Sequence, residues 1–241
     1  MERNQILSVI EAIRKALFFS LIAVGVASSF CFFFAKEILL ILLKVVQIKV
    51  YYFTLPEVFF SMVELAFLSG LFSSMPLIFF VIWKNLKPVL RINILYVFSA
   101  IFLFYLGSLF CYFVVLKSGI SFLLGYGEDK IKPMISVEKY IGFTAAMIFA
   151  FGVTFETPLF LFLFKRLKIV NYEMLAKKRR YAILIIAIFS AVITPTPDVY
   201  NMMLLAVPTY LLYEAGLVMI KIDELRDKKR HGTERKGYKD S

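Results

Sequence analysis

Histidine and cysteine are almost absent from this chain, which has one histidine, His231, and two cysteines, Cys31 and Cys111. A single histidine cannot build a histidine-based metal cluster or a Ser-His-Asp triad. Both cysteines lie inside apolar runs, where we expect small core residues rather than a disulfide or metal ligands. The sequence also has no nucleophile–base pair and no glycine loop of the phosphate-binding kind. It therefore predicts neither an enzyme nor a bound cofactor.

Charged residues are also scarce. They make up 19% of the chain, while 61% is hydrophobic and the mean hydropathy is +0.80. This composition excludes an ordinary soluble domain and predicts an all-α polytopic membrane protein. We predict six transmembrane helices from the apolar runs Leu17–Ala35, Phe59–Trp83, Ile94–Leu116, Tyr140–Phe164, Tyr181–Ile193 and Val199–Ile220. The fifth run covers about 20 Å as a helix, against a hydrocarbon core of about 30 Å. We expect helices five and six to be short, with flanking residues recruited or the bilayer thinned around them.

Lysine and arginine are distributed unevenly along these runs. The two tails and the second and fourth loops carry 21 of them, and the other loops carry 7. By the positive-inside rule both termini are cytoplasmic, as an even number of spans also requires. No cleavable signal or transit presequence is evident, so we predict a multi-pass protein of the plasma (bacterial inner) membrane. The net charge of +11 follows from this asymmetry, and no nucleic-acid partner is predicted.

Three regions are predicted along the chain. Residues 1–16 form an amphipathic segment that we expect to lie at the cytoplasmic interface before turning into the first span. Residues 17–220 form the six-span membrane domain, and the apolar loop after the first span is predicted to be a surface helix. Residues 221–241 are a basic tail that we expect to be mobile.

An acidic side chain within a span indicates a structural or functional role, because a carboxylate at the bilayer centre costs about 2.5–3.5 kcal/mol on insertion scales. Glu156 lies deep in the fourth span. Either it is a neutral group that caps backbone freed by Pro158, or it makes a functional polar contact inside the membrane. Glu64 is on the same face of the second span as Glu57 and is expected to pair with a lysine such as Lys49.

A tight proline-rich corner joins the last two spans. Pro195 and Pro197 shape this corner, and Thr194 is placed to satisfy its unpaired backbone groups. We expect Asp198 to cap the start of the sixth span. Glu214 lies near the inner end of that span, where its side chain can extend toward the headgroups.

Three blocks of the chain stand out: S-M-P-L-I-F-F-V-I-W at 74–83, A-F-G-V-T-F-E-T-P at 150–158, and the corner with its following helix at 194–214. They resemble TatC, the multi-spanning core subunit of twin-arginine protein translocases. The first is similar to the family's S-x-P-x-x-x-Y-x-x-W, and the second to its A-F-G-x-x-F-E-x-P. The likeness extends in order over most of residues 57–220. The structural turn and helix residues in these blocks are Pro76, Pro158, Pro195, Pro197, Pro208 and Glu214.

The resemblance implies a receptor that binds the Arg-Arg signal peptides of folded proteins and assembles with single-span TatA/TatB-type subunits and with itself. Export would be driven by the proton motive force across the lipid bilayer. The resemblance also implies that Glu156, together with Thr194, Asp198 and Met202, contacts these partners inside the membrane.

The resemblance is weakest at the signal-peptide site. The family carries an acidic residue in an N-terminal H-L-x-E-L-R segment and another in the first cytoplasmic loop. Here Glu11 lies one place from the first position, with Arg14 following, and the loop at 84–93 has no acid. Glu11 is the candidate that receives an arginine pair, with Asp223 and Glu224 as substitutes.

Two other functions stay open from the sequence. One is a proton-coupled small-solute transporter in which Glu156 titrates, although no paired broken helices support it. The other is an assembly scaffold that lacks signal-peptide recognition, which the missing loop acid favours.

Overall fold

The computed structural model describes residues 3–46, 50–90, 93–124, 134–167, 169–193 and 198–237. In chain order its elements are α1 (Arg3–Phe33), α2 (Ala35–Val46), β1 (Val50–Tyr51), α3 (Leu55–Leu90), α4 (Leu95–Phe110), a π-helical turn (Cys111–Val115), α5 (Leu116–Leu124), β2 (Ile135–Ser136), α6 (Val137–Phe155), α7 (Thr157–Arg166), α8 (Tyr172–Lys177), α9 (Arg179–Ile193) and α10 (Val199–Gly237). The two short strands pair in parallel and join the segment between α2 and α3 to the segment between α5 and α6.

Five helices in the described part of the chain are long and apolar enough to cross a membrane. They are Arg14–Phe33, Pro56–Asn85, Leu95–Phe122, Val137–Phe155 and Val199–Leu225. The all-α, multi-pass membrane fold predicted from composition is thereby confirmed. The remaining predicted span lies in α9, whose 15 residues extend about 22 Å. Helix α10 runs for 39 residues in all, because it continues past the candidate span Val199–Leu225 into the charged tail.

Long helices occupy both ends of the described chain. The predicted turn before the first span is absent, since α1 is unbroken from Arg3 to Phe33. No proline or glycine precedes Gly25 in this segment, so nothing in the sequence ends the helix there. At the other end, α10 continues as helix to Gly237, through most of the basic tail, whose mobility stays a prediction. Lysine, arginine and glutamate are good helix formers and extend a helix that is already nucleated.

The predicted fourth span consists of two helices rather than one. Helix α6 ends at Phe155 and α7 begins at Thr157, so that Glu156 is the junction residue. Pro158 lies in the first turn of α7, where its missing N–H costs nothing. Pro208, by contrast, lies inside α10. The break at Glu156 is what positions the candidate site.

The helices pack in pairs, α1 against α3, α4 against α6, and α7 and α9 against α10. The segment predicted to form a surface helix after the first span is helical, as α2, and its place on the membrane surface stays a prediction. Two tyrosine hydroxyls hold it on the spans, because Tyr112 donates to the Ile41 carbonyl at 2.9 Å and Tyr140 to the Leu42 carbonyl at 2.8 Å. Helix α2 is thereby fixed across spans three and four.

Replacing Tyr140 by phenylalanine removes one of these bonds inside a buried contact. We expect the Tyr140→Phe protein to lose about 0.5–1.5 kcal/mol of unfolding free energy. Thermal unfolding in detergent measures it, with Tyr52→Phe as the control because Tyr52 is exposed. Equal melting temperatures for the two variants would show that the hydroxyl does not hold α2.

Candidate partner-binding site in the membrane

Glu156 is buried at the junction of α6 and α7, with 4% of its surface exposed. Its side chain makes no capping bond to the start of α7, and its Oε1 has no hydrogen-bond partner. The hydroxyl of Thr157 instead donates to the Thr154 carbonyl at 2.5 Å. The capping alternative from the sequence is therefore wrong. The carboxyl group is left available for a polar contact.

Glu156 lines a cavity of about 200 Å³ between α3, α4 and α7. The walls are almost entirely apolar, and the lining side chains include Phe79, Trp83, Val97, Ala100, Leu159 and Leu163. A hydrogen-bond donor that entered such a cavity would find a strong acceptor in the Glu156 carboxyl group. The arrangement fits a small polar side chain delivered by another membrane helix.

Cations and aromatic rings lie where this cavity reaches the end of α7. The Arg166 guanidinium lies 5.2 Å from the centre of the Phe162 ring, which stacks with Tyr96 at 5.0 Å. On α3, the Lys87 ammonium lies 5.0 Å from the centre of the Trp83 ring. Such residues are typical of the membrane–water boundary. The cavity therefore extends from Glu156 toward one membrane surface, which we call the Arg166 face.

The corner at the start of α10 lies apart from the Glu156 cavity. The Asp198 carboxylate accepts a hydrogen bond from the Asn201 backbone N–H at 2.7 Å and another from its side-chain amide at 2.9 Å. Asp198 therefore caps α10. Met202 lies in the first turn of this helix, whereas Gly216, which packs on Pro158, lies about 21 Å further along it.

The structure thus does not bring Asp198 and Met202 together with Glu156. Thr194, Pro195 and Pro197 lie outside the described residues.

Glu214, which the sequence predicts to extend toward the headgroups, forms an ion pair. The Arg179 guanidinium lies 2.9 Å from the Glu214 carboxylate, which also accepts the Tyr210 hydroxyl at 3.0 Å. Sequence reasoning missed Arg179 as a partner. The pair could have been predicted, because α9 and α10 are consecutive antiparallel helices, and this places the start of α9 beside the later part of the membrane span of α10.

Two acids offered as substitutes at the signal-peptide site are already engaged. Asp223 accepts Lys165 at 2.5 Å and Arg166 at 3.3 Å, and Glu224 accepts the Tyr172 backbone N–H at 3.0 Å. These contacts hold α7 and α8 on α10. Glu11 and Arg14 are exposed on α1.

The two acids of α3 have different roles. Glu57 is buried and ties three segments together, because it accepts the Phe53 backbone N–H at 2.7 Å, the Thr54 N–H at 3.2 Å and the Ser136 hydroxyl. Glu64 is half-buried against α6, with its Oε1 3.1 Å from the position that a Cβ on Gly142 would take. Lys49, its expected partner, lies outside the described residues.

The fold and this site define a class of multi-pass membrane proteins with a carboxyl group exposed to an intramembrane cavity and a basic face at one membrane surface. The sequence profile described as Sec-independent protein translocase protein (TatC) matches residues 8–208. The chain belongs to the TatC family, which confirms the resemblance, and it is a transport protein rather than a member of an enzyme family.

Relatives cover most of this chain. The Sec-independent protein translocase protein TatC of Carboxydothermus hydrogenoformans is 34% identical over 88% of this chain and 90% of its own. The protein of the same name from Desulforapulum autotrophicum is 37% identical over 87% and 82%. A crystal structure of the twin-arginine translocase receptor TatC in DDM is 31% identical, with a TM-score of 0.78, over 88% of this chain and 99% of that one.

Proposed function

We propose that this protein is the receptor core of a twin-arginine translocase. It binds the Arg-Arg signal peptides of folded proteins and assembles TatA/TatB-type single-span subunits for export driven by the proton motive force. The observation that carries the proposal is the Glu156 carboxyl group, buried with an unpartnered oxygen in an apolar cavity. The assembly partner supplies the polar group that this oxygen lacks in the isolated chain.

The proposal places the chain in the bacterial inner membrane with six spans and both termini in the cytoplasm. The helix pair α9–α10 supports local thinning of the bilayer. Between the Arg179–Glu214 ion pair at one end and the Asp198 cap at the other, α9 has 13 mostly apolar residues, from Tyr181 to Ile193, and α10 has 15 mostly apolar residues, from Val199 to Tyr213. These lengths cover about 20–22 Å, less than the hydrocarbon core of about 30 Å. The lipid around this pair adapts by thinning.

Signal-peptide recognition is assigned to Glu11, with Arg14 one turn further along the same exposed stretch of α1. Asp223 and Glu224 are occupied by neighbouring groups, so Glu11 is the acid best placed to receive an arginine pair. A carboxylate binds guanidinium in a bidentate manner that an ammonium group cannot match. The site therefore distinguishes Arg-Arg from Lys-Lys.

The test compares binding of an Arg-Arg signal peptide and its Lys-Lys counterpart to the purified protein in detergent. We expect Glu11→Gln to weaken Arg-Arg binding by at least about tenfold, since a charge-assisted bond contributes about 1.5–3 kcal/mol. Glu173→Gln is the matched control, because Glu173 is an exposed acid on α8.

The outcomes separate the alternatives. Preference for Arg-Arg that survives Glu11→Gln would remove Glu11 from the site. Equal or absent binding of both peptides by the unmodified protein would favour the scaffold, for which the acid-free loop at 84–93 is the specific observation. The transporter alternative predicts proton-dependent solute uptake by the purified chain alone.

A further inference from the structure

A second and larger cavity lies further toward α2 along α3 and α4. It has a volume of about 660 Å³ between the α1–α3 and α4–α6 pairs, and Ile38 and Leu42 of α2 also line it. Two hydroxyl groups in its walls have acceptors, since Tyr105 donates to the Phe72 carbonyl at 3.3 Å and Ser108 to the Phe104 carbonyl at 2.9 Å. We call this the outer cavity, the Glu156 cavity the inner cavity, and the side of the membrane nearer the outer cavity the α2 face.

The outer cavity and the Glu156 cavity lie along one groove. On α3, Phe72 lines the outer cavity and Phe79, seven residues on, lines the inner one. On the broken fourth span, Phe149 lines the outer cavity and Glu156, again seven residues on, lines the inner one. Residues seven apart share a helix face. The two cavities are therefore neighbouring compartments of a single groove.

Phe104 packs against residues that line the two cavities. It lies one helical turn from Ala100, which lines the inner cavity, and one turn from Ser108, which lines the outer one. Its side chain is fully buried. Its ring centre lies 5.4 Å from that of Phe72 and 6.0 Å from those of Phe79 and Phe149.

Gly152 of α6 provides the space for the Phe104 ring. A Cβ at position 152 would lie 2.6 Å from Phe104 Cε2 and 2.8 Å from Cδ2. Any side chain there would displace the ring, because contacts this short do not occur between carbon atoms. Gly152 is also one helical turn before Glu156, so the ring lies directly beside the approach to the carboxyl group.

We propose that Phe104 is a partition that makes Glu156 accessible from the Arg166 face and inaccessible from the α2 face. Water and polar solutes reach the carboxyl group through the inner cavity, while the outer cavity ends at the Phe104 ring. The inference concerns access to Glu156 alone and does not depend on which peptide or subunit the protein binds. The sequence alone does not reveal from which side of the membrane the Glu156 carboxyl group can be reached.

The test measures accessibility with a membrane-impermeant, charged thiol reagent. Glu156→Cys is placed in a Cys31→Ala, Cys111→Ala background and reconstituted in vesicles of known orientation, and the reagent is added on one face at a time. We expect modification from the Arg166 face and little from the α2 face. Adding Phe104→Ala or Phe104→Leu should raise the rate from the α2 face by about an order of magnitude. Gly152→Ala should do the same by pushing the ring aside.

Two controls separate a partition from general loosening of the fold. Gly25→Ala should leave both rates unchanged, because a Cβ there meets nothing within 4 Å. A protein that keeps Cys111 as its single cysteine should stay unreactive when Phe104→Leu is added, since Cys111 is buried in the core. Equal modification rates of Glu156→Cys from the two faces would overturn the proposal. So would a modification rate from the α2 face that neither Phe104→Leu nor Gly152→Ala changes.

Discussion

Replacing Glu156 by leucine should stabilise the isolated protein while weakening its assembly with single-span partners. In the free chain a buried oxygen without a partner costs about 1–3 kcal/mol, and leucine removes that cost. Leucine also fills part of the apolar cavity of about 200 Å³. The assembly loses the one carboxyl group that a polar partner side chain could bind there. We expect partner recovery to fall by about tenfold or more.

The measurement pairs thermal unfolding of the isolated variant with co-purification of partner subunits. Glu64→Gln is the matched control, because Glu64 is a second acid within the spans but lies against α6 outside this cavity. Binding of the Arg-Arg peptide should be unchanged, since Glu11 is on another helix. A Glu156→Leu protein that melts earlier and loses both partner and peptide would show that Glu156 serves folding.

Replacing Gly70 by leucine should detach α1 from α3 and abolish signal-peptide binding without touching Glu11. A Cβ at Gly70 would lie 2.4 Å from the Ser28 backbone nitrogen and Cα, so the two helices cannot keep their spacing. Helix α1 packs mainly on α3 and carries Glu11 in its first part. Packing of small residues is a main source of helix association in lipid. Overpacking such a contact costs about 1–3 kcal/mol.

Thermal unfolding and Arg-Arg peptide binding should therefore both decline in Gly70→Leu. Gly25→Ala is the control on α1, where added volume meets open space and alanine favours the helix by up to about 1 kcal/mol. If Gly70→Leu melted earlier but bound the peptide normally, the position of α1 would not matter for recognition, and the assignment of Glu11 would weaken.

Much of this protein is readable from its sequence. Apolar runs fix which segments enter the membrane because burial in lipid depends on composition and length alone. The blocks around Pro76 and Pro158 identify the family. Glu156 stands out since a carboxyl group inside an apolar run has few structural explanations. The surface helix α2 follows from an apolar loop that cannot stay unfolded beside a bilayer.

The sequence predicted the wrong local structure where the competing outcomes differ by little energy. It predicted a turn before the first span, yet no residue there interrupts a helix, so α1 continues from Arg3. It predicted one helix through Glu156, and Pro158 divided it. It also missed the ion pair that Glu214 forms with Arg179 from a neighbouring helix.

The sequence by itself determined the membrane fold and the family and singled out Glu156, since these follow from hydropathy and local motifs. Only the tertiary structure decided which cavity Glu156 lines, which acids are already engaged, and that Phe104 packs against Phe72 and Phe79, which line two different cavities. Each of these depends on residues from different helices meeting in space, such as Phe104 of α4 against Gly152 of α6. Pairings across helices are set by packing of the whole bundle, and no local pattern in the chain encodes them.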